Sequence, residues 1–212
     1  MTKSEISARK ISKTIQLWQN DNQKLVIVID GYAGSGKTTI AQNLLNLNKD
    51  IEVIHLDDFI NHWKVRKRMI NSAVDKSKVF EYEWYRFSEL EKLIKAFKAN
   101  SKGKSLHKIY NFDTNDFHKK QKSYNLSKKV MVIDGIFLLH PEYKINKLID
   151  KTVYITSDII KADKQRINRE KERFGKNYLP EDHSENWIQH FKVAYRNYLR
   201  KYKPDKKADL VI

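Results

Sequence analysis

Gly31-Tyr32-Ala33-Gly34-Ser35-Gly36-Lys37-Thr38, preceded by Leu25-Val26-Ile27-Val28-Ile29-Asp30 and followed by Thr39-Ile40-Ala41, is the stretch on which the fold turns. The apolar run within 24–30 predicts a strand buried on both faces, and 39–47 predicts a helix. A glycine-rich bend between strand and helix turns successive backbone N–H groups inward above a helix N-terminus, which makes a site for polyanionic phosphate. The spacing from Gly31 to Gly36-Lys37-Thr38 fits the phosphate-binding loop pattern. In that pattern the backbone of Gly31, Ala33, Gly34, Ser35 and Gly36 wraps the phosphates, and Lys37 reaches the β- and γ-phosphates. The Thr38 hydroxyl takes a Mg2+ position, and Thr39 adds a contact to the α-phosphate. A nucleoside triphosphate bound with Mg2+ is therefore expected.

The 212 residues suffice for one well-cored α/β domain and are too few for two comfortable ones, so a single domain over 1–212 is expected. No apolar run approaches the roughly 18 residues of a membrane span, and the polar opening 1–10 lacks the apolar core of a signal peptide. A soluble cytoplasmic chain with no membrane partner is the expectation. With no cysteine, disulfides, thiolate nucleophiles and cysteine-held zinc are excluded, and Mg2+ suits the remaining oxygen and histidine ligands best. The net charge of +16 is compatible with anionic partners, but the lysines are spread along the chain and no nucleic-acid recognition module is present. Lys64-Val65-Arg66-Lys67-Arg68 and 200–207 are basic clusters that read either as solvated surface or as anion-binding patches.

Ala8, Ile11, Ile15 and Trp18 recur at helical spacing, which predicts an amphipathic helix within 1–22 packed on the domain. Residues 51–56 predict a second strand, ending in Asp57-Asp58-Phe59. Ser88 and Glu91 form a capping-box pattern ahead of Leu90, Leu93, Ile94 and Phe97 at helical spacing. After the turn-prone 101–104, the mixed aromatic and polar stretch 105–117 suits a short ribbon. Strands at 129–134, 152–156 and 208–212 alternate with helices at 158–174 and 183–202. That alternation predicts a three-layer α/β fold, a parallel sheet of about five strands covered on both faces.

Ligands of an open parallel sheet gather at the carboxyl ends of its strands. Three strands end there with the phosphate loop, Asp57-Asp58 and Asp134-Gly135. One such carboxylate can hold Mg2+ and another can take a hydroxyl proton during phosphoryl transfer. Asp134, after four apolar residues, suits the metal role. Asp57 and Asp58 project to opposite sides of an extended backbone, so one faces the reaction centre and the other is free to cap a helix. Arg166, Arg169 and Arg173 share one helix face, where Glu170 can pair with Arg166 or Arg173. This face reads either as a salt-bridged surface or as a cationic lid, about 166–180, closing on the phosphates.

Taken together with Ile109-Tyr110-Asn111-Phe112 and Val132-Ile133-Asp134-Gly135-Ile136-Phe137, these motifs in this order resemble the uridine kinase and phosphoribulokinase family from about Leu25 to Ile212. Nicotinamide riboside kinases and bacterial pantothenate kinases are similar relatives. The resemblance implies a nucleoside-kinase-like fold and ATP-dependent phosphorylation of a small-molecule hydroxyl, most simply a nucleoside. It implies Asp57 as base, Tyr110 lining the acceptor pocket, the arginine helix as lid, and Pro204 near adenine. Asn115 stands where uridine kinases commonly carry a histidine. The acidic acceptor-binding position falls within 81–86 in a register the sequence leaves open, with Glu83 and Arg86 as candidates and Asp58 beside them. In this reading Lys37 and the loop hold ATP, Thr38 and Asp134 place Mg2+, and Arg169 and Arg173 neutralise the moving phosphoryl group. Arg166 joins them on the nucleotide side. The competing readings are a nucleic-acid-dependent ATPase and a regulatory nucleotide-binding protein; oligomeric state is left open.

Overall fold

The computed structural model describes residues 1–19, 23–99 and 102–212. The last positions of the amino-terminal segment, 20–22, residue 100 and the first residue of the turn-prone stretch, 101, lie outside the described residues. Helix α1 (Lys3–Trp18) starts with a reciprocal cap: the Thr2 hydroxyl accepts from Glu5 N at 3.3 Å, and Thr2 N donates to the Glu5 carboxylate at 2.7 Å. Strand β1 (Leu25–Gly31) runs through the phosphate loop into α2 (Lys37–Leu47), which begins two residues before the predicted helix. Strand β2 (Ile51–His55) stops short of Leu56, and Leu56–Phe59 coil into a 3-10 turn that carries Asp57 and Asp58.

Helices α3 (Trp63–Ser72) and α4 (Lys76–Tyr82) carry no expectation from the sequence. The reason is visible in α3, whose buried residues are Arg66 and Ile70, too few apolar positions to give a helical period. Helix α5 (Phe87–Lys98) is capped at Arg86 without a side-chain bond, so the Ser88–Glu91 box does not form. Ser88 already lies inside the helix, and Glu91 pairs with Lys95 at 2.6 Å.

The ribbon expected over 105–117 extends to 125 and is two short antiparallel pairs: β3 (Lys104–His107) with β6 (Lys122–Asn125), and β4 (Tyr110–Asn111) with β5 (Asp116–Phe117). Then follow β7 (Val130–Asp134), β8 (Lys151–Ile155) and α6 (Ile159–Phe174). Helix α7 (Ile188–Tyr202) starts after a turn over 183–187, and α8 (Pro204–Lys207) leads into β9 (Leu210–Val211).

The sheet is five-stranded and parallel, in the order β2-β7-β1-β8-β9. Alternate β1 side chains part to its two faces. Val26 and Val28 join Met131, Ile133, Leu90, Leu93 and the α7 aromatics, while Ile27 and Ile29 join Ile40, Leu44, Ile11 and Ile15. Two cores on one sheet make three layers. Burial of Ile11 and Ile15 contributes roughly 1.5–3 kcal/mol each, enough to hold α1 against α2. The register brings the ends of β1, β2 and β7 level, with Asp134 opposite Ile29 on one side and His55 on the other.

One core residue makes stability depend on pH. His140 is fully buried between Tyr143 and Tyr202, its Nδ1 accepts from Glu142 N at 3.3 Å, and burial pushes its imidazole down to about 4. The unfolded chain, with an ordinary imidazole, binds the proton first, so stability should fall as pH drops from about 6.5 to about 4. The loss should total on the order of 3 kcal/mol. Urea midpoints from pH 7 to 4, compared with His140→Phe, read this directly; equal slopes in the two proteins would remove His140 as the cause.

Candidate active site

The phosphate loop is set by contacts that glycine and one buried carboxylate make available. Gly36 caps α2 in the left-handed region (φ 89°) with no side-chain cap, so the first-turn amides of α2 face outward for an anion. Gly34 (φ 83°) passes so close to α6 that a Cβ there would overlap the Ala162 carbonyl. Tyr32 donates from its hydroxyl to Asp163 at 2.9 Å and packs on Phe191 and Tyr195. Asp30, wholly buried, accepts from Gly31 N at 2.6 Å, Leu139 N at 3.0 Å and the Tyr198 hydroxyl at 2.5 Å. Burial raises its carboxyl and these donors oppose that, so the strand end is gripped by a network that ties loop to α7.

Lys37 is buried, and its Nζ donates to the carbonyls of Gly31 and Tyr32 at 2.9 and 2.8 Å. Burial lowers its ammonium from the ordinary value, while Asp30, Asp134 and Asp57 hold it up. The Thr38 hydroxyl donates to Asp134 Oδ2 at 2.9 Å, and Asp134 Oδ1 forms a short hydrogen bond with His55 Nδ1. That bond to Asp134 raises His55 above its ordinary value, against burial. Among the described residues no group of three or more His, Asp or Glu would hold a metal unaided. A lone hydroxyl and carboxylate fit Mg2+, which keeps waters and shares phosphate oxygens, and do not fit zinc.

Asp57 is open toward the cleft, and Tyr85 donates from its hydroxyl to Asp57 Oδ1 at 3.3 Å. The protein packed around its other sides desolvates the carboxyl and raises it, and Asp134 adds to the rise; Lys37, Arg169 and Tyr85 oppose it. Lys37, Asp57, Asp134 and Arg169 thus act on one another at a single point. Two surface depressions, about 520 Å³ beside Arg86 and His107 and about 450 Å³ beside Leu138 and Lys207, include no residue of this point. Chemistry locates the site.

The sequence profile described as the phosphoribulokinase / uridine kinase family matches residues 26–212. The chain belongs to this family. A uridine kinase from Clostridium novyi (strain NT) is 28% identical over 140 residues, 63% of this chain and 62% of that enzyme, so the match spans less than two thirds of the relative's length. The fold is similar to a solved structure described as a possible uridine kinase from Bacillus stearothermophilus, with TM-score 0.70 and 23% identity over 97% of this chain and 96% of the other. It is also similar to phosphoribulokinase from Rhodobacter spheroides, with TM-score 0.59 and 14% identity over 86% and 68% of the two chains.

Around the loop and acids of this phosphoribulokinase / uridine kinase fold, the other predicted site residues divide. Ala33, Ser35 and Thr39 lie in or just after the loop, with Ser35 N closing a turn onto the Tyr32 carbonyl at 3.1 Å. Arg169 is exposed on α6 and acts electrostatically on Lys37 and Asp57. Arg173 instead reaches the β4–β5 hairpin, 3.2 Å from Asp113 and stacked on Phe112. Arg166, expected on the nucleotide side, is 3% exposed and paired with Asp163, Glu170 and Glu181, so in this structure its charge is matched within the protein and fixes α6.

Asp58, expected beside the acceptor, is tied to β6, where Lys122 and Tyr124 donate to its carboxylate at 2.6 and 2.7 Å. The Arg86 guanidinium donates to the carbonyls of Asp58, Ile60 and Lys108 and pairs with Glu89, which clasps the ribbon to the Asp57 turn. Tyr110 is buried and donates to Asn115 Oδ1 at 3.1 Å, which places that pair at the hairpin together. Glu83 is exposed at the end of α4, and its carbonyl accepts from Asn61.

Pro204 is a correction of direction. It precedes β9, and Asp209 just after it accepts from Thr152 N at 2.8 Å at the start of β8, level with Val28. Residues that lead into a parallel strand lie at the end opposite the phosphate loop. Asp30, His55 and Tyr85 carry no expectation of their own from sequence, and Arg66 reads there only as one member of the basic cluster at 64–68. The only signals for the first three were position, a strand-end histidine and the 81–86 segment.

Proposed function

We propose that this chain is an ATP-dependent kinase that moves a γ-phosphoryl group onto a hydroxyl of a small molecule. The observation that carries this is the meeting of Lys37, the Thr38–Asp134 pair and Asp57 at the ends of three adjacent strands. Loop amides and Lys37 bind the triphosphate, and Thr38 with Asp134 would hold Mg2+, which supplies charge neutralisation between the phosphates. Asp57 accepts the acceptor's hydroxyl proton, and its raised carboxyl brings it nearer the working pH of a base. Arg169 supplies positive charge from the α6 side, and α6 with the turn after it serves as a lid that excludes water. Catalysis of this kind is mostly positioning and electrostatics.

A coupled ADP-release assay tests the reading across uridine, cytidine, other nucleosides, pantothenate, sugars and sugar phosphates. ADP formation that requires one of these acceptors is the expected result. ADP formation without acceptor that rises with DNA or RNA and falls steeply with salt would replace the reading by a nucleic-acid-dependent ATPase.

A further inference from the structure

Two arginines of this chain are buried, and they keep opposite electrostatic company. Arg166 has three carboxylates around it. Arg66, on the buried face of α3 and 8% exposed, has no carboxylate within ion-pair distance among the described residues. Its Nε donates to the Asn61 carbonyl at 2.8 Å, and its guanidinium carbon lies 4.9 Å from the Trp84 ring and 4.9 Å from the Tyr110 ring.

These contacts hold the guanidinium in place without neutralising it. Desolvating an ion is costly, and cation–π contacts recover only part of that cost. Burial accordingly lowers Arg66 from its ordinary value, while Tyr110, Tyr85 and Asp57 oppose the fall. Tyr85 is the residue that donates to Asp57, and both act electrostatically on Arg66, so the unpaired cation lies near the carboxylate assigned to the acceptor hydroxyl. A structural role would be served as well by an apolar side chain of the same volume, which carries no charge to desolvate.

We propose that Arg66 is the acceptor-binding residue for an anionic group, and that the acceptor is an alcohol carrying a phosphate or carboxylate instead of a neutral nucleoside. This rests on the kinase reading of the Asp57 site. With its Nε held by the Asn61 carbonyl and its carbon 4.9 Å from each of two rings, the guanidinium is positioned to offer its other nitrogens to the oxygens of one anion. The anion completes a charge pair that the protein leaves half-built, and the net charge of +16 draws such acceptors in. The transfer itself is unaltered. The acceptor oxygen bonds to the γ-phosphorus, the bond from that phosphorus to the β–γ bridging oxygen breaks with its electrons leaving on ADP, and the hydroxyl proton goes to Asp57.

The test compares acceptors that differ only in the anionic group, D-ribose with D-ribose 5-phosphate and glycerol with D-glycerate, alongside uridine and cytidine. The expected result is a preference of roughly 10²-fold or more in kcat/KM for an anionic member, lost in Arg66→Met mainly through KM and partly restored in Arg66→Lys. The melting temperature of Arg66→Met without ligand should equal or exceed that of the wild type, because an uncompensated charge has gone. A marked drop in that temperature would make Arg66 structural and overturn the proposal. Phosphorylation of a neutral nucleoside at equal rates in wild type and Arg66→Met would overturn it too, with the kinase reading intact. Turnover of no acceptor of either kind would sink the kinase reading, and the assignment of Arg66 with it.

Discussion

Asp57→Asn should lower kcat by roughly 10²–10⁴ while ATP still binds nearly as in the wild type. The substitution keeps shape and an oxygen for the Tyr85 hydroxyl, and it leaves Lys37, Thr38 and Asp134 untouched. What disappears is the group to which the proposed mechanism gives the acceptor's proton. Initial rates and nucleotide titration separate the two effects, and full turnover in the variant would remove Asp57 from the chemistry.

A pH profile adds a second reading. The Asp57 carboxyl is raised, first by desolvation and then by Asp134, so the acid limb of kcat/KM should lie above the ordinary aspartate value of about 3.9 and vanish in the Asn variant. The same shift has a sign for stability. The folded chain disfavours the ionised form, so the Asp57 contribution is fully present in acid and declines as pH rises through its folded value. At pH 7 the Asn variant should therefore melt no lower than the wild type.

Lys37→Ala should weaken ATP binding by roughly 10–100-fold and depress kcat as well, since charge-assisted hydrogen bonds to phosphate are lost. The ammonium is also the cation shared by Asp30, Asp57 and Asp134. Its removal takes away a cation that opposes the rise of the Asp57 carboxyl beside Asp134, so the acid limb of any residual activity should move toward higher pH. Isothermal titration with ATP and the pH dependence of residual turnover check both parts. Unchanged ATP affinity would contradict the assigned use of the loop.

Much of this was legible in the residues. The phosphate loop could be read because its signal is local, a buried apolar strand running straight into glycines and Lys37-Thr38. Asp134 and Asp57 could be read because parallel strands put their ends on one edge. Arg166 and Arg169 could not be told apart, since helical spacing gives a face and not the partner: Glu181, which claims Arg166, lies beyond the helix. Arg66 was hidden inside a basic cluster, and only the packing of Trp84 and Tyr110 sets it apart from Lys64 or Arg68. Pro204 was misplaced because closeness along the chain to the last strand does not say which end of the sheet it occupies. The Thr2–Glu5 cap, by contrast, is a plain sequence pattern that needed no structure.

The backbone fit of Gly34 against Ala162 has a mechanical result. The loop and the first turn of α6 are packed backbone to backbone, and the Arg166 cluster bolts the next turn to the segment ahead of α7. If α6 serves as the proposed lid, its travel is confined to the part beyond that bolt: Arg169 would move little, and Arg173, which meets Asp113 of the hairpin at 3.2 Å, would move most.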